Sequence, residues 1–323
     1  MYRVIGLLFS LGVLLAATYA FAPRPAPIFP PHRITVDTLL LLDAAQIGQR
    51  WVAVGERGHI VLSDDDGTTW RQAPSPTQAT LTAVHFRGPL GWAVGHDSVI
   101  LKTTDRGATW RQVHNTPELN KPLLALWFKD ERQGFALGAY GLFLQTQDGG
   151  LSWQQRKITD GDPHLNAIAA LADGKLLIAG EAGSLLRSED HGDTWQTLLS
   201  PYKGSFFGLL ALRDGSLLAY GLRGKIFRSA DAGASWTAIE TGNEAALMGG
   251  YALADGGVVL GGQRGTVLVS QDYGQSFQRH THPARQFVAT LRPAANQALL
   301  LFGESGVTRF TFNTSAQSAP HAF

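Results

Sequence analysis

Residues 52–70 read VAVGERGHIVLSDDDGTTW. The second half, Ser63-Asp65-Gly67-Thr69-Trp70, follows a rule: Ser/Thr, any, Asp, any, Gly, any, Ser/Thr, aromatic. The chain repeats it as Thr103-Asp105-Gly107-Thr109-Trp110, Thr146-Asp148-Gly150-Ser152-Trp153, Ser188-Asp190-Gly192-Thr194-Trp195, Ser229-Asp231-Gly233-Ser235-Trp236 and Ser270-Asp272-Gly274-Ser276-Phe277. Successive copies start 40, 43, 42, 41 and 41 residues apart. A period of that length, filled with short apolar runs, is the mark of stacked or ring-closed small sheets.

The first half of the stretch carries a second mark, an apolar run ending in Gly. It recurs as Trp51–Gly55, Gly91–Gly95, Gly134–Gly138, Leu176–Gly180, Leu217–Gly221, Val258–Gly262 and Leu299–Gly303. That makes seven units. The seventh should place its box at Thr311, where Asn313 and Ser315 replace the Asp and Gly. Within a unit, runs of four to six β-formers separated by Gly, Asp and Asn read as four strands. In the second unit these are Leu81–Phe86, Gly91–Gly95, Ile100–Thr103 and Trp110–Val113. Seven four-stranded sheets about one axis make an all-β, seven-bladed β-propeller.

The box is a corner between the third and fourth strands. Its Asp (Asp65, Asp105, Asp148, Asp190, Asp231, Asp272) accepts hydrogen bonds from its own turn. Its Gly supplies a positive φ, and its aromatic residue packs between blades. Five of the eight tryptophans occupy that place. For closure, the segment Arg33–Val36, ahead of an inner strand Leu39–Leu42, is expected to supply the outer strand of the last blade beside Val307–Phe312. Such strand exchange removes exposed sheet edges.

Charged residues make up 16% and the net charge is +1, with no polybasic run, so nucleic acid is not an expected partner. There is no cysteine, which removes disulfides, thiol catalysis and thiolate metal sites. At the N-terminus, Arg3 precedes Val4–Ala22, nineteen uncharged residues. Ala20-Phe21-Ala22 has the small-x-small form of a cleavage site, although Pro23 would follow the cut. The run is also long enough to cross a bilayer. Residues 1–22 are therefore a signal peptide or an uncleaved membrane anchor. Both fates export the rest to a periplasm or lumen, and in the second case residues 4–22 tether it. Residues 23–32 form a Pro-rich linker, 33–314 the ring, and 315–323 a disordered tail.

Catalytic signatures are missing: no Gly-x-Ser-x-Gly elbow, no His-Glu-x-x-His helix. Asp64-Asp65-Asp66-Gly67 has Leu62 where a calcium loop needs its first ligand. His280-x-His282 lacks a third metal ligand nearby in sequence. Neither a metal, a cofactor nor a small-molecule substrate is expected. The turn between the second and third strands is more informative, since it opens on the face opposite the boxes. Its two central residues are Glu56-Arg57, His96-Asp97, Ala139-Tyr140, Glu181-Ala182, Leu222-Arg223, Gln263-Arg264 and Glu304-Ser305. Inter-blade loops add Lys121, His164, Lys203 and Arg285. Arg57, His96, Tyr140, Arg223, Arg264, Lys121, Lys203 and Arg285 are the candidate partner-binding residues. Arginine pairs bidentately with carboxylates and carbonyls of a partner's loops.

The full pattern is apolar-Val-Gly-x-x-Gly-x-Ile-x-x-Ser/Thr-x-Asp-x-Gly-x-Thr-Trp in seven units, clearest at Val52–Trp70 and Ala93–Trp110. It resembles the photosystem II assembly and stability factors of cyanobacteria and chloroplasts and their bacterial relatives, over about residues 33 to 314. The box itself is the Asp-box, or bacterial neuraminidase repeat. The resemblance implies a seven-bladed, exported, non-catalytic scaffold of photosynthesis-related descent. It would be a monomer that binds a freshly inserted membrane protein or envelope complex through an arginine patch on one face. There is no lipobox cysteine, so any tether must be the apolar segment. The alternative is a sialidase-like glycoside hydrolase at the channel mouth. Its early Arg-Ile-Pro motif is approached only by His32-Arg33-Ile34-Thr35. It would also need two carboxylates about 5 to 10 Å apart among Glu56, Asp97, Glu181 and Glu304.

Overall fold

The apolar runs of the sequence become the second strand of each blade, and their burial explains why they are apolar throughout. In the computed structural model, Arg50–Gly55 is buried from Trp51 to Gly55 on both faces, between a strand on either side. Each such strand is a near-continuous hydrophobic run because neighbouring sheets cover both its faces. The structure describes residues 35–117 and 120–311, together with 5, 6, 11–14 and 18. The last seven positions are helical and belong to a separate unit, Met1–Ile34; Thr35–Phe323 is the other. No helix among the described residues is long and apolar enough to cross a membrane. Most of the signal or anchor segment, the linker 23–32 and the tail 315–323 lie outside the described residues.

Seven antiparallel sheets follow in chain order, six of four strands and the last of three among the described residues. The first blade runs Leu41–Ile47, Arg50–Gly55, Ile60–Ser63 and Arg71–Ala73. The innermost strands of the others are Leu81–Arg87, Leu123–Phe128, Leu165–Ala170, Phe206–Ala211, Leu247–Ala252 and Val288–Ala294. They surround a channel cavity of about 250 Å³. The core lies between blades: Val52, Leu62, Val84 and Leu101 of blades 1 and 2 form one buried cluster, and Trp92, Phe128 and Leu144 of blades 2 and 3 another.

The glycine that ends each second strand is needed for a close backbone approach. Glu56 N donates to the Leu40 carbonyl at 3.0 Å, and a Cβ on Gly55 would stand 2.0 Å from that same oxygen. The seven-fold glycine mark is thus the footprint of one hydrogen bond. It fastens each turn to the loop that enters its own blade, down to Glu304 N and Phe287 O in blade 7.

Three expectations are corrected. The first inner strand is Leu41–Ile47 rather than Leu39–Leu42. Val36 does not enter an outer strand, because Val36–Thr38 forms a 3₁₀ turn; Arg33 and Ile34 lie outside the described residues. The third change is one of register. The last turn is one residue shorter than the others, pairing Gly303 with Gly306, so Phe310 rather than Thr311 sits opposite Leu299 where Ser63 sits opposite Trp51. The seventh box is therefore more degraded than the sequence alone suggests. Its remaining positions lie outside the described residues.

Candidate functional site

The two ends of the ring differ in what their side chains do. At the box end the repeated Asp of each box is consumed locally. Asp65 Oδ1 accepts from Ser63 Oγ at 2.7 Å and Thr69 N at 2.8 Å, and Oδ2 accepts from Thr69 Oγ1 at 2.6 Å. Ser63 Oγ in turn accepts from Gly67 N, and Trp70 Nε1 donates to Gly67 O. The bonds of the Asp recur at Asp105, Asp148, Asp190, Asp231 and Asp272. The indole bond to the box glycine recurs at Trp110, Trp195 and Trp236. It is lacking at Trp153, whose Nε1 is buried without a partner among the described residues, and at Phe277, which has no ring N–H. The hydroxyl of the second Ser or Thr holds the carboxyls of Asp65, Asp148, Asp190 and Asp231 down to about 2. At Asp105 and Asp272 burial pushes upward, yet the same bonds win and lower them. Three accepted bonds on Asp65, Asp105, Asp190 and Asp231, and four on Asp148 and Asp272, are enough to explain such shifts.

The opposite end carries the turns and inter-blade loops. Six turns share one backbone form, with the residue before the second small position in the left-handed region. These are Arg57 (φ 52°), Asp97 (58°), Tyr140 (55°), Ala182 (52°), Arg223 (55°) and Arg264 (57°). A non-glycine residue there is disfavoured, and the side chain is thrown out toward solvent. Arg57, Tyr140, Arg223 and Arg264 thus occupy equivalent places. His96 sits one position earlier, because Asp97 takes the left-handed site in blade 2. All five are exposed, as are Lys203 and Arg285. Lys121 is half-buried, and its Nζ donates to the Tyr140 carbonyl at 3.3 Å. Tyr140 packs edge-on against His164, ring centroids 4.9 Å apart.

The structure divides the candidates into two groups. Lys203 in the loop before blade 5, Arg223, Arg264, Arg285 in the loop before blade 7, and Arg57 form an arc over blades 5, 6, 7 and 1. The turn that carries Arg264 abuts the loop that carries Arg285, since a Cβ on Gly265 would lie 2.8 Å from Arg285 Cα. None of these five cations forms an ion pair among the described residues. His96, Lys121 and Tyr140 lie over blades 2 and 3, apart from the arc. The acids of the mouth are partly occupied. Glu56 Oε1 accepts from Leu40 N at 3.1 Å, Glu181 Oε2 from His164 N at 3.2 Å, and Glu304 Oε1 from Phe287 N at 2.7 Å. They brace their own loops. The residues His/Cys/Asp/Glu form no group suited to a metal ion among the described residues.

Two features were missed from the sequence. Leu222 on the arc and Leu199 in the loop before blade 5 are exposed apolar side chains. Cations on the third strand reach across to the next blade: Lys102 Nζ to Gly149 O, Arg187 Nη1 to Ala232 O, Arg228 Nε to Tyr273 O and Arg309 Nη2 to Asp66 O. Aligning the repeats would have shown the recurring cation just before the box in blades 2, 4 and 5.

A family model described as photosynthesis system II assembly factor YCF48 matches residues 34–123 and 117–256. No curated protein matches the chain. Among solved structures, "YCF48 bound to D1 peptide" is similar, with 20% identity and a TM-score of 0.71, covering 90% of this chain and 99% of that one. YCF48 from Cyanidioschyzon merolae is 15% identical, with a TM-score of 0.68 over 86% of this chain and 97% of that one. The WD40 propeller domain of Doa1 gives 15% and 0.68, over 86% and 94%. At those identities the structural likeness speaks for the propeller alone. The family model, in contrast, spans well over half of the sequence, and the chain belongs to the photosynthesis system II assembly factor YCF48 family.

Proposed function

We propose that this ring is a non-catalytic docking platform that assists assembly or stability of a membrane protein complex. It grips an acidic, carbonyl-rich segment of a membrane protein at the mouth opposite the boxes. One observation carries the reading: Lys203, Arg223, Arg264, Arg285 and Arg57 form an arc of cations left unpaired among the described residues. Three of them, Arg57, Arg223 and Arg264, share one outward-pointing turn position. An unpaired guanidinium presents a planar fork of donors that fits a carboxylate or backbone carbonyls. Leu222 and Leu199 add apolar surface at the same sector. A similar structure is that of YCF48 bound to D1 peptide, which supports a peptide segment as the thing held.

The glycoside hydrolase reading is not favoured. Three of the four carboxylates at the mouth are committed to backbone N–H groups of their own loops, where a hydrolase needs a free facing pair. Export, with or without a tether at residues 4–22, and a monomeric state belong to the docking reading. N-terminal sequencing of the mature protein decides the first.

The test is recovery of a membrane protein from detergent-solubilised envelope by the wild-type ring, against an Arg57→Ala, Arg223→Ala, Arg264→Ala variant. Direct titration of the recovered protein's soluble loops follows as synthetic peptides. Binding of an acidic loop by the wild type and at least about tenfold weaker binding by the variant supports the reading. Equal binding by both removes the arc from it.

A further inference from the structure

Among the described residues there are nine ion pairs, and seven lie within one blade or between a blade and its own entry loop. The other two both cross the seam between blades 7 and 1. Arg292 Nη2 meets Asp43 Oδ1 at 2.8 Å on the channel wall, and Arg309 Nη2 meets Asp66 Oδ2 at 2.9 Å at the box end. Where cations cross other seams, as Lys102, Arg187 and Arg228 do, they meet uncharged backbone carbonyls. Among the described residues, the seam with the ion pairs is also the one that no backbone connection between consecutive blades bridges. Blades 1 to 7 follow each other along the backbone, and the return from 7 to 1 is made, among the described residues, by non-covalent contacts. There Ala295 N also donates to Asp66 Oδ2 at 3.0 Å, and Gly306 N to Leu39 O at 2.8 Å. Asp43 reaches the other way too, accepting from Val84 N of blade 2 at 3.0 Å.

We propose that the seam between blades 7 and 1 is an electrostatic latch: of the seven seams it opens first, and ionic strength sets how often. The two pairs differ in kind. Arg309 and Asp66 are about a third exposed and are weakened by salt, as solvated pairs are. Asp43 and Arg292 are more enclosed, so salt reaches them less, but losing either partner strands a charge on the channel wall. The exposed pair therefore tunes the latch and the enclosed pair sets its register. Arg285 precedes blade 7 and Arg57 lies on blade 1, so a ligand held by both would bind the two edges together. That last consequence rests on the docking reading; the latch does not.

The experiment is hydrogen–deuterium exchange by mass spectrometry on the full chain without ligand, at low salt and at about 1 M salt. Exchange is expected to rise with salt by about tenfold in peptides from 41–47 and 288–311, relative to peptides from 165–180 and 206–221. Asp66→Asn should produce the same local rise at low salt in blades 1 and 7 together. Asp214→Asn, which breaks the within-blade pair to Arg228, should leave the seam peptides unchanged. A salt response equal in all blades overturns the proposal, as does an Asp66→Asn effect confined to blade 1. If Asp66→Asn does not fold, the wild-type salt comparison decides alone. An acidic peptide that slows exchange at the seam extends the latch to docking, and one that binds without slowing it separates the two.

Discussion

The two ends of this ring are built from equally regular repeats, yet they spend their side chains in opposite ways. At the box end, the residues that repeat are those that bond to one another: Ser63, Asp65, Gly67, Thr69 and Trp70 close a network within eight residues. At the turn end, what repeats is the backbone, and the outward position changes from Arg57 to Asp97, Tyr140, Ala182, Arg223 and Arg264. Sameness of side chain marks a stability role. Variety of side chain on a constant backbone marks a surface free to be shaped for a partner.

The largest effect belongs to the backbone that supports the turns. A Cβ at Gly303 would lie 1.9 Å from Phe287 O. Gly303→Ala should lower unfolding free energy in denaturant titration by about 3 kcal/mol, the upper range for forced overpacking. A loss near zero would mean the close approach is not what fixes glycine there. Next comes the box. Asp272 accepts from Ser270 Oγ, Gln275 N, Ser276 N and Ser276 Oγ. Asp272→Ala should cost about 1–2 kcal/mol, since the amides of an exposed corner regain water as partners.

Acid probes all six boxes together. Their carboxyls are depressed in the folded state, four of them from 3.8 to about 2. A depressed carboxyl adds stability above its unfolded value, and that stability fades as pH falls through the folded one. Melting temperature should therefore drop between about pH 4 and pH 2. Asp272→Ala should show a shallower drop than the wild type. The smallest effect on stability is expected at the turns. Arg223→Gly relieves a left-handed arginine while adding chain entropy to the unfolded state, so stability should change by no more than about 1 kcal/mol.

The ring was legible in the sequence because both of its marks are backbone devices. Gly55 and its six counterparts record a close approach, and Asp65 and its counterparts record a corner. Each recurs wherever the device recurs. The closure was not legible. It uses Arg292, Arg309, Asp43 and Asp66, which occur once each and lie over 220 residues from their partners in sequence. The shortened last turn shifted the seventh box by one residue, a change that spacing from Gly303 alone did not reveal. At the candidate site, the individual cations were visible as deviations from the repeat. Their gathering into one arc needed blades 5, 6 and 7 to be brought round beside blade 1. Glu56, Glu181 and Glu304 read as free acids in the sequence because their backbone partners lie sixteen or seventeen positions away.

The most direct test joins stability and binding in one variant. Arg223→Gly, Arg264→Gly and Arg285→Gly all remove a left-handed arginine from the arc (φ 55°, 57° and 53°). Melting temperature and affinity for the acidic loop peptide are measured on the same preparation. The account predicts an unchanged or higher melting temperature together with affinity reduced at least about tenfold. A clearly lower melting temperature with unchanged affinity would contradict it, because the arginines would then be holding the ring rather than a partner.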